Sequence, residues 1–247
     1  MAKSPEARPP QPAEMTFREL TAPPEGQCLL EAAWSAEGSF RPTRVLPDGC
    51  TDLVFDPKRR RVSVVGVMTV ARVVAPSASH VFGLRMHPWA VRAVLGVAAE
   101  HLCDRDLPLA EVHPAWFARV RTIDRVEDAV EAFTEACMRW RLGQRLDTRV
   151  SQAAQSLGDP TEGCEVASAA REVGLSERQL QRVFLDHVGV TPKVYTRVAR
   201  LRSFARDATS ATLAEAAMAA GYADQSHLCR EVRALTGVSP RRLRGAE

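Results

Sequence analysis

Two stretches near the C-terminal end of this 247-residue chain carry the same punctuation. Gly174-Leu175-Ser176 is followed by Gly189-Val190-Thr191-Pro192, and Gly221-Tyr222-Ala223 by Gly237-Val238-Ser239-Pro240. In each copy a glycine supplies the left-handed turn that stops one helix. A second helix runs to the next glycine, and Thr-Pro or Ser-Pro opens a third. Proline there occupies the first helical position, where its missing N–H costs nothing. The turn glycines Gly174 and Gly221 lie 47 residues apart.

The residues between these marks fit the reading. Val166, Ala169, Ala170 and Val173 recur at helical spacing before Gly174. Ser176 with Gln179, and Thr212 with Glu215, have capping-box spacing. The helix after Ser176 turns Leu180, Val183, Phe184 and Val188 inward and Glu177, Arg178, Gln181 and Arg182 outward. A linking helix follows with Val194, Val198, Leu201 and Ala205 as its stripe, and the last long helix turns Leu228, Val232 and Leu235 inward. Two helix-turn-helix units are predicted.

Such a unit lays its second helix in the DNA major groove, which is about 12 Å wide, with the outward residues near its N-terminus on base edges. In the first unit these are Arg178, Gln181 and Arg182; in the second, Gln225, Ser226, His227 and Arg230. Arginine bonds guanine bidentately and glutamine bonds adenine. Lys193, Arg197, Arg233 and Arg241 are candidate phosphate contacts, which position without specifying sequence. The plain alternative is a solvated face on an ordinary helical bundle. Two copies with the same turn and stop chemistry argue against it.

Charge adds modestly. The net +3 belongs entirely to residues 160–247, which hold 13 basic and 10 acidic side chains. That excess alone is weak support for a nucleic-acid partner. Six scattered cysteines show no metal-ligand spacing, which points to reduced thiols. No apolar run is long enough for a membrane span. The first 14 residues hold four prolines and no apolar core, the pattern of a disordered tail rather than a secretory signal, so a cytoplasmic protein is expected.

Upstream, residues 15–112 read as a β-rich domain, with strand candidates at 51–55 and in the valine-dense 61–74, and a short helix at 88–96. Apolar spacing then predicts a helix over 115–142 within a connector spanning 113–159. The break at 157–163 marks the start of the C-terminal domain at 160–247. The expected fold class is α+β: a β-rich N-terminal domain plus an all-α C-terminal domain with two helix-turn-helix units.

Trp34, Phe55, Phe82 and Trp89, with Phe40, are candidates to line an effector pocket, although aromatic residues in a β domain are more often core. His80, His87, His101 and His113 lie close in sequence with Cys103, but no pair has tight ligand spacing, so no metal is assigned. Asp48 and Asp52 read as an acid pair or, more simply, as a turn followed by a strand residue.

Gly174-Leu175-Ser176-Glu177-Arg178-Gln179-Leu180-Gln181-Arg182-Val183-Phe184 and Gly221-Tyr222-Ala223-Asp224-Gln225-Ser226-His227-Leu228-Cys229-Arg230, extended by Leu235-Thr236-Gly237-Val238-Ser239-Pro240, resemble the paired motifs of the AraC/XylS family of bacterial transcription regulators. The resemblance covers a third of the chain. It implies sequence-specific binding to double-stranded promoter DNA, no catalytic activity and no cofactor. It also implies activation, usually by contact with RNA polymerase, and sometimes repression. The base-reading positions it implies are the seven residues named above. Two residues depart from the pattern. Ala223 stands where a serine cap is common, at an expected cost of about 1 kcal/mol, and Val232 replaces a frequent phenylalanine.

The segments Leu46-Pro47-Asp48-Gly49-Cys50-Thr51-Asp52-Leu53-Val54-Phe55, Val65-Gly66-Val67-Met68-Thr69 and Gly83-Leu84-Arg85-Met86-His87-Pro88 resemble the β-rich N-terminal domain of one group of these regulators. This implies a small-molecule effector, a homodimer, or both. Two alternatives stay open: a DNA-repair methyltransferase type with a cysteine acceptor, and an effector-independent DNA-binding oligomer.

Overall fold

The computed structural model describes residues 16–21, 24, 26–38, 42–74, 80–141, 146–159, 165–207 and 212–245. The tail expected at 1–14, Phe40 and most of the expected 157–163 break lie outside them. The described residues form eight strands: β1 (Thr16–Thr21), β2 (Leu30–Glu37), β3 (Thr43–Val45), β4 (Thr51–Asp56), β5 (Arg61–Val65), β6 (Arg72–Val74), β7 (Val81–Met86) and β8 (Asp106–Pro108). Six pair antiparallel in the order β1-β2-β7-β4-β5-β8, and β3 pairs with β6 as a separate ribbon. Asp56 closes the β4–β5 hairpin by accepting the Arg59 N–H at 3.0 Å.

The valine-dense stretch is therefore two strands. Gly66 breaks it: a Cβ there would lie 1.9 Å from the Leu102 carbonyl oxygen, so only glycine lets the backbones cross. Beyond it, residues 66–71 leave the large sheet and run out to β6.

Short helices α1 (Val91–Leu95), α2 (Leu109–Val112) and α3 (Pro114–Val120) and the long α4 (Val126–Arg141) cover the sheet. Leu53, Phe55, Phe82 and Leu84 from the strands join Trp116, Val120, Val126 and Phe133 in one core. The helix predicted over 115–142 is divided between α3 and α4. Val120, Ile123 and Val126, on either side of the break, all pack in or against that core.

A second core begins with α5 (Thr148–Gly158), capped by the Asp147 carboxylate. Val150, Ala153, Ala154 and Leu157 pack with α6 (Val166–Glu172) and α7 (Glu177–Val188), and Val67 of the N-terminal domain enters the same cluster. The stretch 113–159 is thus shared between two cores. Helix α8 (Pro192–Arg206) places Tyr195 in this core and Leu201 and Phe204 in a third, built with α9 (Leu213–Ala219) and α10 (Gln225–Thr236). The short α11 (Pro240–Arg244) closes the chain. The fold is α+β.

Candidate nucleic-acid interface

Helix α7 starts as its sequence dictates. The Ser176 hydroxyl accepts the Gln179 N–H at 3.3 Å, and the Gln179 side chain accepts the Ser176 N–H at 2.9 Å. Leu180, Phe184 and Val188 are buried, which fixes the opposite face. Arg178, Gln181 and Arg182 are exposed on it.

Helix α10 starts one residue further from its turn glycine. The expectation that Ala223 occupies the cap position is corrected: Asp224 caps the helix, its carboxylate accepting the His227 N–H at 2.7 Å. The cost expected from Ala223 does not arise, because the cap has moved rather than been lost. Gln225, Ser226 and Arg230 are exposed. His227 is half-buried; its Nδ1 accepts the Ala223 N–H at 3.3 Å and its ring meets Tyr222 edge-on. Val232 is fully buried in the third core.

Of the phosphate candidates, Lys193, Arg233 and Arg241 are exposed. Arg197 is already engaged: its guanidinium holds both Glu231 oxygens, at 2.6 and 3.3 Å, and ties α8 to α10. Lys193, Arg197 and Arg200 follow one another along one side of α8, on the wall of a cleft of about 730 Å³ between the two units. Arg200 was missed by the sequence reading, although its spacing from Lys193 and Arg197 on a helix carried the signal.

The four aromatic candidates do not share a pocket. Phe55 and Phe82 stack at 4.8 Å inside the first core, at 1% and 0% exposure. Trp34 packs on Gly83 and donates to Asp52 at 3.0 Å. Trp89, which donates to the Cys28 carbonyl and stacks on His87, lines a cavity. That cavity, about 600 Å³, lies between the β domain and α8, with Glu31, His87, Tyr195, Arg202 and Arg206 on its walls.

Glu31 pairs with Arg202 across this seam and accepts the Cys50 thiol at 2.7 Å. Burial works to raise the Glu31 carboxyl, but Cys50 and Arg202 outweigh it and hold it below its ordinary value. Burial, with Asp48 and Glu31 beside it, pushes the Cys50 thiol well up, the reverse of what a nucleophilic cysteine needs. Asp48 and Asp52 both face Arg85, at 3.1 and 3.5 Å. Burial carries Asp52 up to about 6 against that cation.

The histidines serve separate local ends. His80 pairs with Glu37, His87 contacts the Gln27 carbonyl, and His113 caps α3 by accepting the Trp116 N–H. Among the described residues no three His, Cys, Asp or Glu side chains group as a metal site. Nor is any described helix long and apolar enough to cross a membrane.

Residues 169–246 match the family model of a helix-turn-helix domain, and residues 27–108 that of a domain of unknown function, DUF6597. No curated protein matches the chain in sequence. Among solved structures, ToxT from Vibrio cholerae O395 is similar at 10% identity over 93% of this chain and 96% of ToxT, with a TM-score of 0.42. ToxT of Vibrio cholerae strain SCE256 with an unsaturated fatty acid bound is similar at 10% identity over 96% of each chain, with a TM-score of 0.41. With both motifs folded as two capped helix-turn-helix units and 169–246 matched throughout, the C-terminal third is a helix-turn-helix domain, the unit through which a transcription regulator binds DNA.

Proposed function

We propose that the protein activates transcription by reading two adjacent major grooves of promoter DNA, α7 in one and α10 in the next. The observation that carries this reading is the parallel exposure of Arg178, Gln181 and Arg182 on α7 and of Gln225, Ser226 and Arg230 on α10, each at the N-terminal end of a helix whose other face is buried. Lys193 and Arg200 on the linking helix, with Arg233 and Arg241, supply cations for the intervening phosphates. His227 acts more through its local bonds than as a base reader. RNA polymerase is the partner that activation requires. A small-molecule effector fits the seam cavity at Trp89 better than the packed interior at Phe55 and Phe82.

Selection of bound duplexes from a random library, with the full-length protein, tests this. Two enriched blocks about one helical turn apart are expected. Arg182→Ala should weaken the selected site by about 1–3 kcal/mol and relax one base position, whereas Lys193→Ala should weaken all sequences alike. No enrichment, or Arg182→Ala with unchanged site and affinity, overturns the assigned groove face. Transcription from a promoter carrying the selected site, with purified polymerase, separates activation from repression.

A further inference from the structure

We infer that one short span of the N-terminal domain, residues 67–71, acts as a splint that sets the separation of the two recognition helices, with Arg44 positioning the second. The inference rests on the two-groove reading and adds what fixes the spacing between the grooves read.

The last carbonyls of a helix have no partner within it. In α10 two of them are satisfied from the N-terminal domain: the Ala71 N–H donates to the Leu235 carbonyl at 2.7 Å, and the Arg44 guanidinium to the Thr236 carbonyl at 2.6 Å. A cation there also complements the negative end of the helix dipole. The C-terminal end of α7 is held against the same domain by close packing. Gly189, its left-handed cap, lies so close to the domain that an added Cβ would sit 2.8 Å from the Ala99 carbonyl oxygen and 3.0 Å from Val67. Arg92 and Asp186 pair beside it at 3.5 Å.

Val67 and Ala71 thus touch the ends of different recognition helices, yet they lie only four positions apart. Fully extended, that length of chain spans at most about 14 Å. The span is itself held at its start and in its middle. Gly66 donates to the Arg105 carbonyl at 3.0 Å, and the Val67 carbonyl accepts the Asp104 N–H at 2.9 Å. The Asp104 carboxylate takes the Thr69 N–H and hydroxyl at 2.9 and 2.6 Å. Both grips fall on the C-terminal ends of α7 and α10, so the base-facing residues near their N-termini stay exposed. The Arg197–Glu231 pair links α8 to α10 independently, so loosening the splint should widen the spacing rather than free the second unit.

The test uses the full-length protein and the duplex it selects, with one base pair inserted or removed between the two blocks. Because one base pair turns the second groove by about a tenth of a turn, the wild type should lose about tenfold or more in affinity on either altered duplex. Arg44→Ala, at an exposed position, should cut that penalty to about threefold while binding the original duplex nearly as well. Asp104→Ala should act in the same direction, and Arg44→Lys should restore the wild-type penalty. If Arg44→Ala keeps the full penalty, or loses affinity equally on all three duplexes, the splint is overturned and the two-groove reading stands. A wild type that selects only one block overturns both.

Discussion

The two helix-turn-helix units share a sequence logic and live in different surroundings. Each has a left-handed turn glycine, a side-chain cap and a left-handed stop glycine. The first unit shares its core with the rest of the molecule. Val67 is inside it, Trp89 and Cys103 pack against it, and α5 supplies one wall. The second closes a core that, among the described residues, takes none from the N-terminal domain, and it is fastened by polar ties at Leu235, Thr236 and Glu231. A repeated motif therefore does not imply repeated energetics. Apolar burial makes the first unit part of a large cooperative block, whereas a few hydrogen bonds and one ion pair leave the second able to open separately.

The sharpest way to break that contrast lies within the first unit. Gly174 and Gly189 both have positive φ, at 69° and 91°. A Cβ on Gly174 meets nothing within 4 Å, so Gly174→Ala bears only the left-handed strain, about 1–2 kcal/mol. Gly189→Ala adds a backbone collision at the seam with Ala99, and roughly twice that loss or more is expected. Chemical denaturation of both variants measures the difference. Equal losses would mean that the first unit is not seated on the N-terminal domain as described.

That seam is what local sequence reading does not reach. The helices of the C-terminal third were legible because caps, glycines and apolar spacing all act within a few residues. So was the polar face of α7, which follows from burial of Leu180, Phe184 and Val188. The start of α10 lies one residue beyond the expected cap at Ala223, because Asp224 caps a helix as well as the serine common at that site. Upstream, the valine run concealed the crossing at Gly66, whose reason is a carbonyl at Leu102, 36 residues away. The pairings of Glu31 with Arg202 and of Arg44 with Thr236 join residues 171 and 192 positions apart. No periodicity encodes them. The aromatic candidates lie apart for a related reason: aromatic identity does not tell a packed ring from a pocket wall.

A smaller effect sharpens the contrast from the second unit. Asp224→Ala should cost about 1 kcal/mol, the usual worth of such a cap. The loss should appear as faster amide exchange in α10 with α7 little changed, because the second core opens without the first. Ala223→Ser should gain almost nothing, since the cap position is already filled. Loss of protection spread evenly over both helices would instead make the two units one cooperative block.

The smallest effect concerns pH and separates the units again. Burial depresses His187, on the last turn of α7, below its ordinary value; Asp186 and Asp147 oppose this, and Arg92 and Arg149 reinforce it. The unfolded chain therefore binds the His187 proton more readily. Its contribution is intact above about pH 6.5 and is lost as pH falls toward the folded value. Asp52 runs the other way: raised from 3.8 to about 6, it favours the folded state more as pH falls through 6. Its side chain is still 17% exposed, so water moderates that gain. Global melting mixes the two signs, which makes amide exchange in α7, corrected for intrinsic rates, the informative measurement. Protection should fall as pH drops below about 6.5 in the wild type, and less in His187→Gln. The same decline in both proteins would place the titrating group elsewhere in the seam, with His87, also depressed by burial, the next to replace.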